Sequence, residues 1–334
     1  MLSLLKFQEK LKQTVKGQDN AVKVVTTCIY KYLLKLHARD KGLFFTGGTN
    51  VLLHGQSGAG KTFIVKKAAE VFEIPIFEIN AKSICQEGWS GKSFMTLLND
   101  CFYEYTSATN KTPTGGIIFI DEIDKILGFN SSTTGDANFH IQVGLLKYIE
   151  GMETTSKSKQ IDFNNYMFVF AGAFSDMEKQ HAKKPDIGFS SEPEEETKEE
   201  FLKEIIKYGM LPEFAGRIQE YCRLNDITEE IYTDILENNK DFCSVYWKEL
   251  LECLDIDLKP NNKILIEKAN ASNLGVRGLI QAVEDLITQT IHDNIDKVDL
   301  EKFSPLYSRK EDIDKRMNGG YHDMSIPPGD DGDL

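Results

Sequence analysis

No stretch of this sequence is built to cross a bilayer. Its longest uncharged apolar run, Tyr166 to Phe174, is about half the length a membrane span needs. The opening residues MLSLLKFQEK meet Lys6 too early to hold the apolar core of a signal peptide. Positive charge is scarce as well: 39 Lys and Arg face 52 Asp and Glu, leaving a net charge of −13. A general DNA or RNA binder neutralises phosphates with Lys and Arg, so this balance counts against one. The six cysteines (28, 85, 101, 222, 243, 253) form no CxxC pair, and no histidine stands at metal-ligand spacing near them. That weighs against a zinc site or disulfide framework and for buried free thiols in a reducing compartment. The expectation is a soluble, untargeted, cytoplasmic protein without zinc and without a membrane segment.

What the chain does have is core material. Hydrophobic residues make up 41% and charged residues 27% of 334 positions, the balance of a globular protein of roughly two domains. Apolar residues at helical spacing predict a helix from Asp19 to His37. Asn50 to His54 reads as a buried strand, followed by a glycine-rich turn and a helix from Lys61 to Phe72. A strand is expected over Ile74–Ile79, a helix over Phe94–Tyr105, and central strands over Gly116–Asp121 and Tyr166–Ala171. Strands alternating with helices imply a parallel sheet covered on both faces. After Arg217 the pattern turns mainly helical, over Thr228 to about Leu254, Asn261–Ala271 and Val276–Ile295, with a possible short strand at Asp255–Leu258. The expected division is an extension or helix over 1–14, a large α/β domain over 15–222, a small helical domain over 223–305 and a disordered tail over 306–334, whose Asn318–Leu334 is rich in Gly, Pro and Asp. The acidic run Ser190–Glu200 reads as a solvated loop or the exposed start of a helix. No internal repeat is visible.

Gly55-Gln56-Ser57-Gly58-Ala59-Gly60-Lys61-Thr62 fits G-x-x-x-x-G-K-[ST], and its predicted context, strand before and helix after, is the one the motif requires. Glycines let several backbone N–H groups converge on phosphate oxygens, and the helix N-terminus adds its positive end. In that arrangement Lys61 serves the β- and γ-phosphates and Thr62 a Mg²⁺ ion. Farther on, the apolar Ile117-Ile-Phe-Ile ends in Asp121-Glu122. A nucleotide hydrolase needs one carboxylate for hydrated Mg²⁺ and one to orient or deprotonate water, roles that suit Asp121 and Glu122 in turn. ATP binding and hydrolysis follow as the expectation.

With Ile123-Asp124-Lys125 after that pair, the chain resembles the AAA+ ATPases, in particular the protein unfoldases of the ClpX/HslU family, from about Val15 to Asp293. Val15-Lys-Gly-Gln-Asp-Asn-Ala-Val22 resembles the segment that packs around adenine, so the resemblance assigns Val15 to the nucleotide. Gly88-Trp89-Ser90-Gly91 stands where ClpX carries its Gly-Tyr-Val-Gly pore loop. Leu145–Gly151 and Ala171–Phe174 also match. Leu211-Pro-Glu-Phe-Ala-Gly-Arg217 resembles the box bearing the arginine finger, and Gly275-Val-Arg277-Gly-Leu279 the sensor-2 motif of the small domain. Ile187-Gly188-Phe189 matches the tripeptide that docks ClpX onto the ClpP peptidase. The resemblance therefore implies a homo-oligomer, most simply a hexamer, in which Arg217 serves a neighbouring subunit's γ-phosphate, Arg277 touches its own subunit's nucleotide, Trp89 grips a protein substrate, and Ile187 to Phe189 engage a peptidase.

The departures carry expectations too. Only residues 1–14 precede Val15, so the cysteine-rich zinc module of ClpX and recognition through it are expected to be missing. Thr154–Gln160, with Lys157 and Lys159, is short for the Arg-Lys-His substrate loop, and Val169-Phe-Ala-Gly172 has no polar sensor-1 residue. HslU fits less well, since its large inserted domain finds no room here. Three alternatives stay open. One is a remodeller of protein complexes that works without a peptidase; another is a clamp or helicase loader acting on nucleic acid. The third, a structural P-loop protein, would leave Glu122 idle.

Overall fold

The computed structural model describes residues 3–43, 48–85, 92–127, 134–156, 159–175, 177 and 197–295. The expected pore loop Gly88–Gly91, the tripeptide Ile187–Phe189, the acidic residues before Thr197 and the tail over 306–334 lie outside them. By its contacts the chain divides into two compact units, Met1–Cys243 with Asn261–Ala282, and Ser244–Pro260 with Val283–Leu334. The first takes in helical segments beyond residue 222 that the sequence assigned to a small domain.

In the first unit a five-stranded sheet is built from β1 (Val51–His54), β2 (Ile76–Asn80), β3 (Gly116–Asp121), β6 (Tyr166–Gly172) and β7 (Glu220–Arg223), in the order β2-β3-β6-β1-β7. Every pairing within it is parallel. Beside it, β4 (Glu153–Ser156) and β5 (Lys159–Asp162) form an antiparallel pair. Side chains alternate along a strand, and here both faces are buried, which explains the unbroken apolar runs of β1, β3 and β6. Val51, Leu53, Ile117 and Phe119 face the helices α1 (Leu4–Lys12), α2 (Asp19–Asp40) and α3 (Lys61–Phe72). Leu52, Ile118, Ile120, Phe168 and Phe170 face α4 (Phe94–Thr109), α5 (Thr134–Ile149), α6 (Lys198–Tyr208) and the short α7 (Pro212–Ala215). The α/β class with helices on both faces of a parallel sheet is thus as expected. The start of α6 explains the end of the acidic run: Thr197 and Glu200 form a reciprocal capping box, with acidic residues in the first turn where the helix dipole favours them.

The helical stretch from Thr228 is two helices, α8 (Glu229–Asn238) and α9 (Cys243–Glu252). They are separated at Asn239, whose side chain donates to the Thr14 carbonyl at 3.0 Å and accepts from the Asp241 N–H at 3.0 Å. Still in the first unit, α10 (Asn262–Ser272) packs on α8, Asn270 donating to Glu229 at 2.9 Å. The last helix among the described residues, α11 (Val276–Asp293), begins there too. In the second unit Asp255–Leu258 is not a strand. Asp255 takes a left-handed φ of 57°, the Ile256 N–H returns to the Leu251 carbonyl at 3.0 Å, and Ile256 and Leu258 are buried in strand-like alternation with no ladder partner among the described residues. Val283 and Ile287 are buried in that unit as well, and Trp247 donates to Glu284 at 3.3 Å.

His54 closes β1 and stacks on Phe201 with ring centroids 3.8 Å apart, while Phe174 meets it edge-on. Burial, with the nearby charges of Arg223 and Lys61, pushes its pKa down from 6.5 to about 3. Above pH 6.5 the ring is neutral in both folded and unfolded chains, and its contribution is complete. As pH falls toward 3 the unfolded chain takes up a proton that the folded chain refuses, so stability drops by up to about 1.4 kcal/mol per pH unit. Melting curves from pH 7.5 to 4.5 should therefore show His54→Gln below wild type at the upper end and the gap narrowing as pH falls. A constant gap would contradict this account.

Candidate active site

The C-terminal edge of a parallel sheet is where ligands of α/β proteins bind. Here β1, β2 and β3 deliver Gly55, Asn80 and Asp121 to one edge, with Asn80 in register with Asp121. The turn after β1 runs into α3 at Lys61, whose Nζ folds back to donate to the carbonyls of Gly55 at 2.6 Å and Gln56 at 2.8 Å. Beside it Thr62 Oγ1 donates to Asp121 Oδ2 at 2.7 Å, and Asp121 Oδ1 accepts the Glu122 N–H at 2.8 Å. The two oxygen-bearing side chains meet as hard donors of the kind Mg²⁺ takes, one or two per site. Among the described residues no group of three or more His, Cys, Asp or Glu is placed to hold a metal.

Glu122 has a φ of 57°, unusual for a residue with a side chain and a form of strain concentrated at functional sites. Its Oε2 accepts from Asn80 Nδ2 at 2.9 Å and lies 2.9 Å from Lys82 Nζ. Those two partners hold its carboxyl below the usual range, Lys82 most strongly. The carboxylate is thus ionised and turned toward β2. Neither Asn80 nor Lys82 is evident from the sequence, because their role depends on β2 lying beside β3.

The pocket above this edge has a volume of about 520 Å³, within the usual range for small-molecule sites. Ser57 to Thr62, Asp121 and Glu122 line one side, and Val15, Ile227, Ile235 and Phe242 supply an apolar side. Gln18 ties these together. Its amide donates to the carbonyls of Ala59 at 3.3 Å and Asn225 at 2.9 Å, and its oxygen accepts the Asn225 N–H at 2.8 Å. Arg277 also lines the pocket, its Nη1 3.5 Å from Ser57 Oγ. It arrives there because the start of α11 lies against the turn: the Val276 N–H donates to the Gly58 carbonyl at 3.1 Å. A Cβ on Gly58 would come within 2.0 Å of the Leu274 carbonyl oxygen, and one on Gly275 within 2.9 Å of Gly58. With φ of 82° and 59°, both positions call for glycine on conformational as well as steric grounds.

The sequence-predicted residues Val15, Gly55 to Thr62, Asp121, Glu122 and Arg277 are therefore brought together. Arg217 is not with them. Its carbonyl accepts from Asn50 Nδ2 at 2.9 Å at the start of β1, and its guanidinium pairs with Glu150 at 2.5 Å. It therefore lies at the N-terminal edge of the sheet, while the P-loop lies at the C-terminal edge. Since β1 has four residues, the edges are about 13 Å apart. The side chains of Gly88–Gly91 and Ile187–Phe189 fall outside the described residues.

Comparison with known proteins identifies the family. The family model for the AAA domain (Cdc48 subfamily) matches residues 48–221, over half of the chain. The sequence is 26% identical over 294 residues to the ATP-dependent Clp protease ATP-binding subunit ClpX 2 of Wolinella succinogenes, covering 83% of this chain and 74% of that protein. It is 28% identical over 317 residues to the ATP-dependent Clp protease ATP-binding subunit ClpX of Treponema denticola, covering 86% and 76%. Among the described residues no helix is long and apolar enough to cross a membrane. With the AAA domain model matching over half of its length, the chain belongs to the AAA domain family as an ATPase of the ClpX type.

Proposed function

We propose that copies of this chain assemble into a cytoplasmic ring, a hexamer, that uses ATP hydrolysis to unfold proteins and thread them through a central pore to a ClpP-type peptidase. The observation that carries this reading is the separation of Arg217 from its own P-loop. A guanidinium at one edge of the sheet serves a γ-phosphate only if another copy presents its opposite edge, so the site is completed by assembly. In this reading the backbone N–H groups of Ser57 to Gly60 and Lys61 hold the phosphates, while Thr62 and Asp121 hold Mg²⁺. That ion, when bound, neutralises charge on the phosphate oxygens. Glu122 moves from Asn80 and Lys82 to orient the attacking water. Arg277, on the turn, reports occupancy to the segments after residue 222, which act as the small domain.

The segment carrying Trp89 leaves and rejoins the fold at neighbouring points, for the Cys85 N–H donates to the Lys92 carbonyl at 3.0 Å. An indole in that segment would offer a broad apolar grip on an extended chain. The names of the matched relatives, subunits of Clp protease, support the peptidase as recipient. The test is ATP-dependent loss of fluorescence from a tagged fluorescent protein, with and without a ClpP-type peptidase. Wild type should unfold the substrate in both settings and degrade it only with the peptidase. Trp89→Ala should retain ATPase activity and lose unfolding; unfolding by that variant would remove the pore assignment. Deleting Ile187 to Phe189 should spare unfolding and abolish degradation, whereas unchanged degradation would reject the docking assignment and unfolding without degradation by wild type would favour a remodeller.

A further inference from the structure

The end of β6 brings only Ala171, Gly172 and Ala173 toward the pocket, with no polar side chain among them. Facing this strand end is Asp124, in the 3₁₀ turn Ile123–Ile126 that follows the Asp121-Glu122 pair. Asp124 is only 3% exposed. Its Oδ1 accepts the Ala173 N–H at 3.3 Å. Among the described residues its Oδ2 makes no contact with a donor other than its ion pair with Lys125 Nζ, 2.8 Å away. Gly172 leaves room for that carboxylate: a Cβ there would come within 2.9 Å of Oδ1 and 2.6 Å of the Phe174 ring.

A buried carboxylate is tolerated only with a fixed counter-charge, because stranding it is strongly destabilising. Lys125 is thus held by a rigid part of the core, yet its side chain is 39% exposed and lines the same pocket as Lys61, Thr62, Asp121 and Glu122. An ammonium carries three donors, so it can hold Asp124 and other acceptors together. Other cations of the pocket are differently committed: Lys61 to the turn, Arg277 near Ser57, and Lys16 toward Asp234 at 4.0 Å. Among the described residues that line the pocket, Lys125 follows closely on Asp121 and Glu122, while Lys82 flanks Glu122 from beyond β2. This is the side where the last phosphate of a triphosphate lies relative to the turn in the nucleotide-site reading. We propose that Lys125, positioned by Asp124, contacts the terminal phosphate and lets the pocket tell ATP from ADP, an inference that rests on the nucleotide-site reading.

The experiment measures the affinity of the full chain for ADP and for ATPγS, each with Mg²⁺. Lys125→Met should weaken ATPγS by about 10- to 100-fold, the range for a hydrogen bond to a charged group. ADP should change by less than about twofold, and Lys125→Arg should recover most of the loss, since a guanidinium keeps the charge. Because Lys125→Met strands the buried carboxylate, the pair Asp124→Asn with Lys125→Met is measured beside it and should show the same selective loss. Equal weakening of both nucleotides would make Lys125 a structural residue and overturn the inference, as would no weakening of either. A wild-type chain that bound ATPγS no better than its Lys125→Met variant but still bound ADP would sink this inference alone. Failure of wild type to bind ADP at all would sink the nucleotide site with it.

Discussion

Glu122→Gln is expected to lower ATP turnover by about 10²–10⁴-fold, the usual contribution of a positioned general base, while ATP binding survives. The substitution keeps the shape of the side chain and an oxygen for the Asn80 amide, so the hydrogen bond at 2.9 Å has a successor. What it removes is the charge that pairs with Lys82 and that would draw a proton from water. Glu122 is also about a third exposed, and exposed ion pairs contribute little to stability, so the fold should be unaffected. Lys61→Ala gives the contrasting result. It removes a cation held inside the turn by two carbonyls, and binding itself should be lost. Calorimetric titration with ATP alongside phosphate release distinguishes the two. Normal turnover by the Gln variant would leave the base elsewhere.

The difference between these variants shows which parts of the site were legible in the chain and which were not. Lys61, Thr62, Asp121 and Glu122 stand in two short motifs whose chemistry is local, and the strands that carry them are apolar enough to be recognised before their partners are known. Asn80 and Lys82 are equally close to Glu122, yet no local pattern marks them. They become relevant because β2 lies next to β3, and strand order is settled by long-range pairing rather than by residue periodicity. Edge strand β7 carries no clear signal in the sequence for a related reason. Glu-Tyr-Cys-Arg buries only Cys222, so its membership of the sheet rests on register with Val51 to His54. The Asp255–Leu258 segment shows the converse: an alternating pattern correctly announces which side chains are buried but does not guarantee a strand to pair with.

Gly58 and Gly275 illustrate how a distant motif acquires its meaning in space. Each glycine looks like an ordinary turn residue in sequence, and the requirement for both arises from their mutual approach. Because the Gly58 carbonyl accepts the Val276 N–H, the turn Gly55–Gly60 and the first turn of α11 are joined without an intervening side chain. Arg277 rides on that turn. The pocket and the start of α11 are therefore linked by backbone, a stiffer connection than a surface ion pair.

Arg217→Ala should reduce hydrolysis by about 10³-fold or more, by analogy with fingers supplied in trans to GTPases, with nucleotide binding and fold retained. Retention is expected because the guanidinium is half exposed and its pair with Glu150 lies at the surface. The backbone of the same residue stays pinned, since Asn50 contacts the carbonyl and not the side chain. The loss alone does not say which copy the arginine serves, and mixing decides it. Arg217→Ala subunits keep an intact P-loop, and Lys61→Ala subunits keep an intact arginine. If each pocket takes its guanidinium from a neighbour, combining the two inactive proteins should restore activity well above either alone, at those contacts where an intact arginine meets an intact P-loop. A head-to-tail ring sets one subunit's arginine against the next subunit's P-loop at every junction, so in a mixed ring up to half of the junctions join two intact groups. Hydrolysis should also rise more steeply than linearly with protein concentration until assembly is complete. An Arg217→Ala protein that hydrolysed ATP at the wild-type rate, or a mixture no more active than its parts, would show that each chain completes its own site. The sheet geometry speaks against that, because it separates the two groups by the full length of β1.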